Sequence, residues 1–461
     1  MTGMGHQFHS SILREYDIRG VVGQTLFPAD ARAVGRTLGS VVRDGGGTAV
    51  CVGYDGRLSS PEMAEQVTAG FLEAGIAVLR LGLVPTPAVY FAARLLGMDG
   101  GLMVTGSHNP PDHNGFKMVV GNKPFWGKDI KAFGLRAAKG DWVSGKGKAV
   151  DVDILESYVT RLLVDYRETT GLKVAWDAGN GAMGPAMVAL TQRLPGEHIL
   201  LNAEVDGTFP AHHPDPTVPE NLEQLQEAVI GQGCALGIAF DGDGDRIGVV
   251  DGQGRILWGD QLLAVLSADL LKRRPGATII ADVKASQVLF DEIARNGGNP
   301  VMAPTGHSII KTRMAELDAP LAGEMSGHIF YGDRYYGFDD ALYAAVRLLD
   351  VLVRSGRSLA ELRDALPAVV NTPEVRFAVP EERKFTIVAE VLARLKAAGA
   401  DVIDVDGARV RTEDGWWLLR ASNTQAVLVA RCEARDTAGI ERLRAMLTEQ
   451  LRISGLELPD F

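Results

Sequence analysis

Short apolar runs that stop on an aspartate at the mouth of a turn constrain this chain more than any other feature. Leu172-Lys173-Val174-Ala175-Trp176-Asp177 meets Ala178-Gly179-Asn180-Gly181, and Leu236–Asp241 enters a loop of alternating glycine and aspartate. Thr278–Asp282 passes through Val283–Ser286, and Ala49–Tyr54 runs into Asp55-Gly56-Arg57. Each run has strand length, and helical periodicity recurs between them, at 30–43 and from about Ser60, with Ser59 or Ser60 as cap and Pro61 in the first turn, to Ala74. A strand at Ala77–Leu81 and a helix from Pro85-Thr86-Pro87 to about Leu96 continue the alternation, which predicts α/β layers. The last stretch breaks the pattern, with helices at 383–398 and 436–453 around strands near 409–412, 416–419 and 426–433. That predicts a smaller α+β domain.

With 461 residues the chain has length for several domains. The expected units are 1–152, ending after a Gly145-Lys146-Gly147-Lys148 linker, then 153–254, 255–367 and 368–461. A net charge of −11 argues against non-specific nucleic-acid or anionic-membrane binding, and leaves a phosphorylated small molecule open as partner. Cys51, Cys234 and Cys432 lie far apart in apolar runs, which reads as buried free thiols in a reducing compartment. The polar residues 1–10 lack an apolar signal core and no run has spanning length, so a cytoplasmic protein is expected.

Two stretches carry the chemistry. Gly100–Val104 reads as a buried strand that delivers Thr105-Gly106-Ser107-His108-Asn109-Pro110, a turn presenting a hydroxyl that needs activating partners. Asp241-Gly242-Asp243-Gly244-Asp245-Arg246 offers three carboxylates at alternate positions, a candidate site for one hard divalent cation. An EF-hand is excluded, because Arg246 stands where that loop needs glycine and Gly252 where it needs glutamate. Three near-matches are set aside. Gly179–Gly184 imitates a dinucleotide fingerprint without a following acidic strand end; it reads as a tight turn at a helix start. Gly140–Lys146 lacks the preceding strand and hydroxyl of a P-loop. His212-His213-Pro214-Asp215 sits among prolines and reads as a stiff connector rather than a zinc site. His307, in Thr305-Gly306-His307-Ser308, and His328, in Gly323-Glu324-Met325-Ser326-Gly327-His328, occupy polar glycine-flanked turns where functional groups are presented. Arg420-Ala421-Ser422-Asn423-Thr424 has the makings of a phosphate cradle, or of an ordinary turn.

Thr105–Pro110, Asp241–Arg246, Gly323–His328 and Arg420–Thr424, in this order and spacing, resemble the four signature loops of the α-D-phosphohexomutase superfamily, in its bacterial phosphomannomutase/phosphoglucomutase-like branch. The resemblance covers essentially the whole chain from Glu15–Gly20 onward. It implies three related α/β domains plus a C-terminal α+β domain around a central cleft, and a monomer or small homo-oligomer. It implies an intramolecular phosphotransferase, an isomerase of carbohydrate metabolism, that interconverts hexose 1- and 6-phosphates of mannose or glucose through a phosphoserine and a hexose 1,6-bisphosphate. Mg²⁺ would be held by Asp241, Asp243, Asp245 and the phosphorylated Ser107. Lys117, His328 and Arg246 would join Ser107 in catalysis, with Lys117 and His328 as candidate general acids or bases. Tyr16, Arg19, His108, Lys284, Gly306 and His307 would contact substrate, Glu324 and Ser326 would grip sugar hydroxyls, and Arg420, Ser422, Asn423 and Thr424 would bind the phosphate not being transferred. Alternatives are a phosphoglucosamine mutase, which usually differs at the centre of Gly-Glu-Met-Ser-Gly-His, a metal-dependent sugar-phosphate phosphatase and a silent sugar-phosphate binder. Relatives commonly carry proline two residues after the threonine of the fourth loop. Here Ala426 stands there, which frees a φ angle and predicts a less rigid loop with a weaker grip on phosphate.

Overall fold

The computed structural model describes residues 5–457. Four sheets follow one another along the chain, and the first three repeat one topology. In the first unit the central order is Ala77–Leu83, Ala49–Tyr54, Gly100–Val104, His113–Val120. In the second it is Gly196–Leu201, Leu172–Asp177, Leu236–Phe240, Ile247–Asp251, and in the third Asn299–Ala303, Thr278–Asp282, Leu321–Gly323, Ile329–Tyr331. Each time three strands run parallel and the fourth returns antiparallel to the third. Parallel strands covered by helices on both faces must be apolar throughout, and Gly100–Val104 and Leu236–Phe240 are buried at every position. The fourth sheet is antiparallel, built on the hairpin of Gly415–Ala421 and Val427–Ala434.

This topology positions the chemistry. The third parallel strand of each α/β unit connects to its antiparallel neighbour by a short turn, which emerges at the carboxyl ends of the parallel strands, where open α/β sheets place ligands. Those turns are the serine loop, the aspartate loop and the loop of Glu324 to His328. The hairpin turn of the fourth sheet supplies the last one, residues 422–426. One apolar core runs through the three α/β units, and the helix Ala341–Ser355 is buried from Ala341 through Leu352. The last unit has its own core around Trp417, Leu419 and Leu443, joined to the third where Val283 packs on Trp416 and Leu418. Among the described residues no helix is long and apolar enough to cross a membrane.

Three local expectations change. Ser59 and Ser60 do not cap the helix Ser60–Glu73; Ser60 Oγ donates to Asp55 Oδ1 at 2.5 Å, and Ser59 Oγ accepts from Asn114 Nδ2 at 2.8 Å. The strand expected at Ala77–Leu81 continues to Leu83, because its parallel pairing with Ala49–Tyr54 resumes after an irregularity. The glycine-rich segment at 145–148 is tied down. Gly145 and Gly147 donate their amides to Glu73 and Leu72 carbonyls at 2.8 and 2.9 Å, before the chain adds Ala149–Asp151 to the edge of the first sheet.

Candidate active site

Ser107 sits at a left-handed backbone position, φ 49°, in a turn held from behind by two side chains of the neighbouring strand end. Asp55 accepts from the Thr105 hydroxyl at 2.8 Å and from the Gly106 amide at 3.0 Å. Arg57, fully buried, spreads its guanidinium over four carbonyls, donating to Ser107 (2.7 Å), Asn109 (2.6 Å), Pro110 (2.5 Å) and His113 (3.0 Å). The space in front of it is closed to any side chain at residue 106, since a Cβ on Gly106 would lie 2.3 Å from Arg57 Cζ. Five N–H donors on one planar group explain why arginine serves here and a lysine would not. Arg57→Ala leaves those carbonyls and Asp55 buried without their partner and should cost about 3–5 kcal/mol, read from the denaturant midpoint. An unchanged midpoint would mean the turn holds itself.

The Ser107 hydroxyl donates to Asp241 Oδ2 at 2.9 Å, across 134 residues of chain. Asp241, Asp243 and Asp245 are all 0% exposed. Asp241 Oδ1 accepts the amides of Gly244, Asp245 and Arg246 at 3.0–3.2 Å, which curls the loop around it. Asp243 Oδ2 accepts from Thr86 Oγ1 at 2.5 Å and from Lys117 Nζ at 2.7 Å. Lys117 also pairs with Asp245, and its ammonium is held well above the usual lysine range because these carboxylates outweigh its burial. Lys117 arrives there by register, on the antiparallel strand opposite Met103.

Charge in this loop is left in excess. Burial first, then Asp243 and Asp245, push the Asp241 carboxyl well up, and Asp243 Oδ1 has no hydrogen-bond partner. The three carboxylates bring ligand oxygens within 4.8 Å of one another. Oxygen donors, an orphaned buried oxygen and unrelieved repulsion together fit a hard divalent cation such as Mg²⁺.

The third loop docks on the second through its backbone, with Ile247 N donating to Gly327 O at 3.0 Å. His328 lies among three carboxylates, Nε2 at 3.3 Å from Asp245 Oδ1 and 4.0 Å from Asp339 Oδ2, and Nδ1 at 3.1 Å from Glu324 Oε2. Burial lowers its affinity for a proton, but these partners prevail and its pKa rises to about 9. Its ring stacks on His307 with centroids 5.6 Å apart. Gly306, at φ 140°, donates its amide to Glu324 Oε1 at 2.6 Å, and a Cβ there would strike the Tyr16 ring at 2.5 Å. His108 is kept neutral by burial and by the nearby Arg246, Arg19 and Lys117.

Tyr16 ties three units together, its hydroxyl donating to Thr305 O at 2.7 Å and accepting from Asn423 Nδ2 at 2.7 Å. In the fourth loop Arg420 Nε donates to Asp406 Oδ2 at 2.9 Å, and Ser422 Oγ accepts the amides of Thr424 and Gln425. The turn without proline is restrained from outside, since Lys384 Nζ donates to Gln425 O at 3.0 Å and Arg376 Nη1 to its side chain at 3.2 Å.

A single cleft of about 950 Å³ gathers these parts. Tyr16, Arg19, Ser107, His108, Lys117, Arg246, Lys284, Gly306, His307, Glu324, Ser326, His328, Arg420, Ser422, Asn423 and Thr424 all line it. The three aspartates lie fully buried, Asp241 against Ser107 and the other two against Lys117. The cleft also contains residues that the motifs do not single out, among them Arg14, Trp258, Arg376 and Arg431. Thr86 and Arg57 are likewise absent from the motifs. A threonine at a helix start and an Asp-Gly-Arg strand end have the signature of ordinary boundaries, so no local signal marks them.

Family models described as phosphoglucomutase/phosphomannomutase match the chain in four consecutive pieces. They are alpha/beta/alpha domain I over 10–132, domain II over 155–254, domain III over 258–370 and the C-terminal domain over 374–450. A phosphomannomutase/phosphoglucomutase of Pseudomonas aeruginosa is 44% identical over 450 residues, covering 98% of this chain and 97% of that protein. A phosphoglucomutase of Neisseria meningitidis serogroup A is 42% identical over 94% of this chain and 95% of its own. The crystal structure of a phosphoglucomutase/phosphomannomutase family protein from Burkholderia thailandensis superimposes with a TM-score of 0.92 at 42% identity, over 97% of this chain and 98% of that one.

Proposed function

Since the chain belongs to the phosphoglucomutase/phosphomannomutase family and is a phosphohexomutase, we propose that phosphorylated Ser107 passes its phosphoryl group to the free hydroxyl of a bound hexose monophosphate. The serine O–P bond breaks, a bond to the sugar oxygen forms, the proton of the attacking hydroxyl is carried to the departing serine oxygen, and the resulting 1,6-bisphosphate returns its other phosphate to Ser107 by the same steps in reverse. Both glucose and mannose phosphates are taken as substrates. The observation that carries this reading is the 2.9 Å contact of Ser107 Oγ with Asp241 Oδ2, which unites the acceptor hydroxyl with the acidic loop.

Asp241, Asp243 and Asp245 with the phosphoserine would hold Mg²⁺, which supplies charge withdrawal from the phosphoryl oxygens. A phosphoserine carries roughly −1.5 to −2 charge, so further positive charge is needed beside the three carboxylates. Lys117, clamped in its charged form, and Arg246 supply it, and this transfer depends mainly on such positioning and neutralisation. His328, held against Asp245 and Glu324, and Lys117 are the groups placed to carry that proton. Glu324 and Ser326 orient the sugar hydroxyls, and Arg420, Ser422, Asn423 and Thr424 hold the distal phosphate. Units dividing at 152, 254 and 367 would each contribute one loop.

Glucose 1-phosphate and mannose 1-phosphate, each with Mg²⁺ and a bisphosphate activator, should yield the 6-phosphates. Release of inorganic phosphate instead would favour a phosphatase. Tyr16→Phe removes the hydroxyl that ties Asn423 to the cleft and should raise KM roughly fivefold, one hydrogen bond of about 1 kcal/mol. A fall in kcat at constant KM would place Tyr16 in the chemistry instead.

A further inference from the structure

His307 opens the helix His307–Leu317 and lines the cleft, and behind it lies a buried ion pair. Lys311, one helical turn on, donates to Asp339 Oδ1 at 2.8 Å and places the same Nζ 3.2 Å from His307 Nδ1. Asp339 is 0% exposed; its Oδ2 lies 3.5 Å from that nitrogen and has no hydrogen-bond partner. No hydrogen bond among the described residues uses His307 Nε2, and the residue lines the cleft, so this atom is open to a ligand.

Two neighbours of Nδ1 make opposite demands. An ammonium only donates, so a bond from Lys311 requires a lone pair on Nδ1 and puts the proton of a neutral ring on Nε2. A carboxylate only accepts, so a bond to Asp339 would put the proton on Nδ1 and make a second one easy to gain. The lysine is nearer, and it already engages the aspartate. Other surroundings act the same way. Burial first and then Lys311 hold the His307 pKa below the usual range, against the pull of Asp339, and the helix amino terminus also disfavours a cation. Further charged or titratable neighbours are His328, stacked on the ring, Tyr16 at 6.1 Å between centroids, Glu324, bound to the Gly306 amide, and the buried Asp245 beyond His328.

We propose that Lys311 and Asp339 are positioning residues that fix His307 as its neutral Nε2–H tautomer, so that the ring donates one hydrogen bond to an oxygen of the bound sugar phosphate. Only the identity of that oxygen rests on the mutase reading. The stacked pair thus differs in its partners: His328 lies against Asp245 and Glu324, and His307 presents a neutral donor. Without Lys311 the buried Asp339 would claim Nδ1 and make His307 a cation.

The test is ¹⁵N NMR of the full-length enzyme labelled at histidine, with His307→Gln assigning the signal. The expected wild-type spectrum at neutral pH has the His307 proton on Nε2. Lys311→Met should raise the His307 titration by about one pH unit or more and raise KM on the order of tenfold, with a smaller change in kcat. Lys311→Met combined with Asp339→Asn removes both charges and should restore the titration and most of the affinity. A wild-type proton on Nδ1 overturns the proposal, as does a Lys311→Met protein with unaltered titration and KM, or a double variant no better than the single one. The wild-type reading needs no substitution at Lys311 or Asp339, so a misfolded variant at either position leaves the test decisive. It also needs no substrate, so its outcome is independent of the mutase assay.

Discussion

Ser107→Ala will lower mutase turnover by on the order of 10⁴-fold or more, the scale on which a covalent nucleophile is lost. Ser107 is the hydroxyl that the loop holds against Asp241. Thr105 Oγ1, the nearest in sequence, is 0% exposed and committed to Asp55. The turn itself should survive, because Arg57 and Asp55 grip it mostly through main-chain atoms. Stability should therefore change by no more than ~1 kcal/mol, which separates lost chemistry from lost fold. Incubation with hexose 1,6-bisphosphate followed by intact-mass measurement should show one added phosphate on the parent and none on the variant. Retained turnover, or phosphate on the variant, would move the nucleophile elsewhere.

Asp243→Ala should remove Mg²⁺-dependent turnover almost as completely, by on the order of 10³-fold. The substitution deletes the orphaned Oδ1 and also frees Thr86 Oγ1 and half of the Lys117 clamp. A cation that binds only the folded protein raises its melting temperature by mass action. That rise should shrink in Asp243→Ala, and this readout needs no catalysis. An undiminished rate together with an undiminished thermal shift would take Asp243 out of the metal site.

The chemistry-bearing loops were legible because each follows an apolar strand and packs several polar groups into a few residues. The strands themselves were legible too: the aspartate-terminated runs at Leu172, Leu236 and Thr278 are strands, and their parallel pairing is what the structure adds. What escaped the sequence depends on contacts between distant segments. Arg57 is spelled like a surface turn, yet its guanidinium is wholly buried, because the carbonyls it serves lie some fifty residues on. Ser60 resembles a helix cap but is recruited by Asp55. The contrast between His307 and His328 was out of reach for the same reason. Both are glycine-flanked histidines in polar turns, and only their neighbours Lys311, Asp339, Asp245 and Glu324 tell them apart.

One consequence follows from Lys117 lying opposite Met103. Successive side chains on a strand point to opposite faces, so the amine reaches the aspartates only while an even step is kept between its position and that of its partner. A slip of His113–Val120 by one residue against its neighbours would swing the lysine to the far side of the sheet, whereas a slip of two would keep it on the same face. In this molecule the spacing between nucleophile and cation is a question of parity before it is one of length.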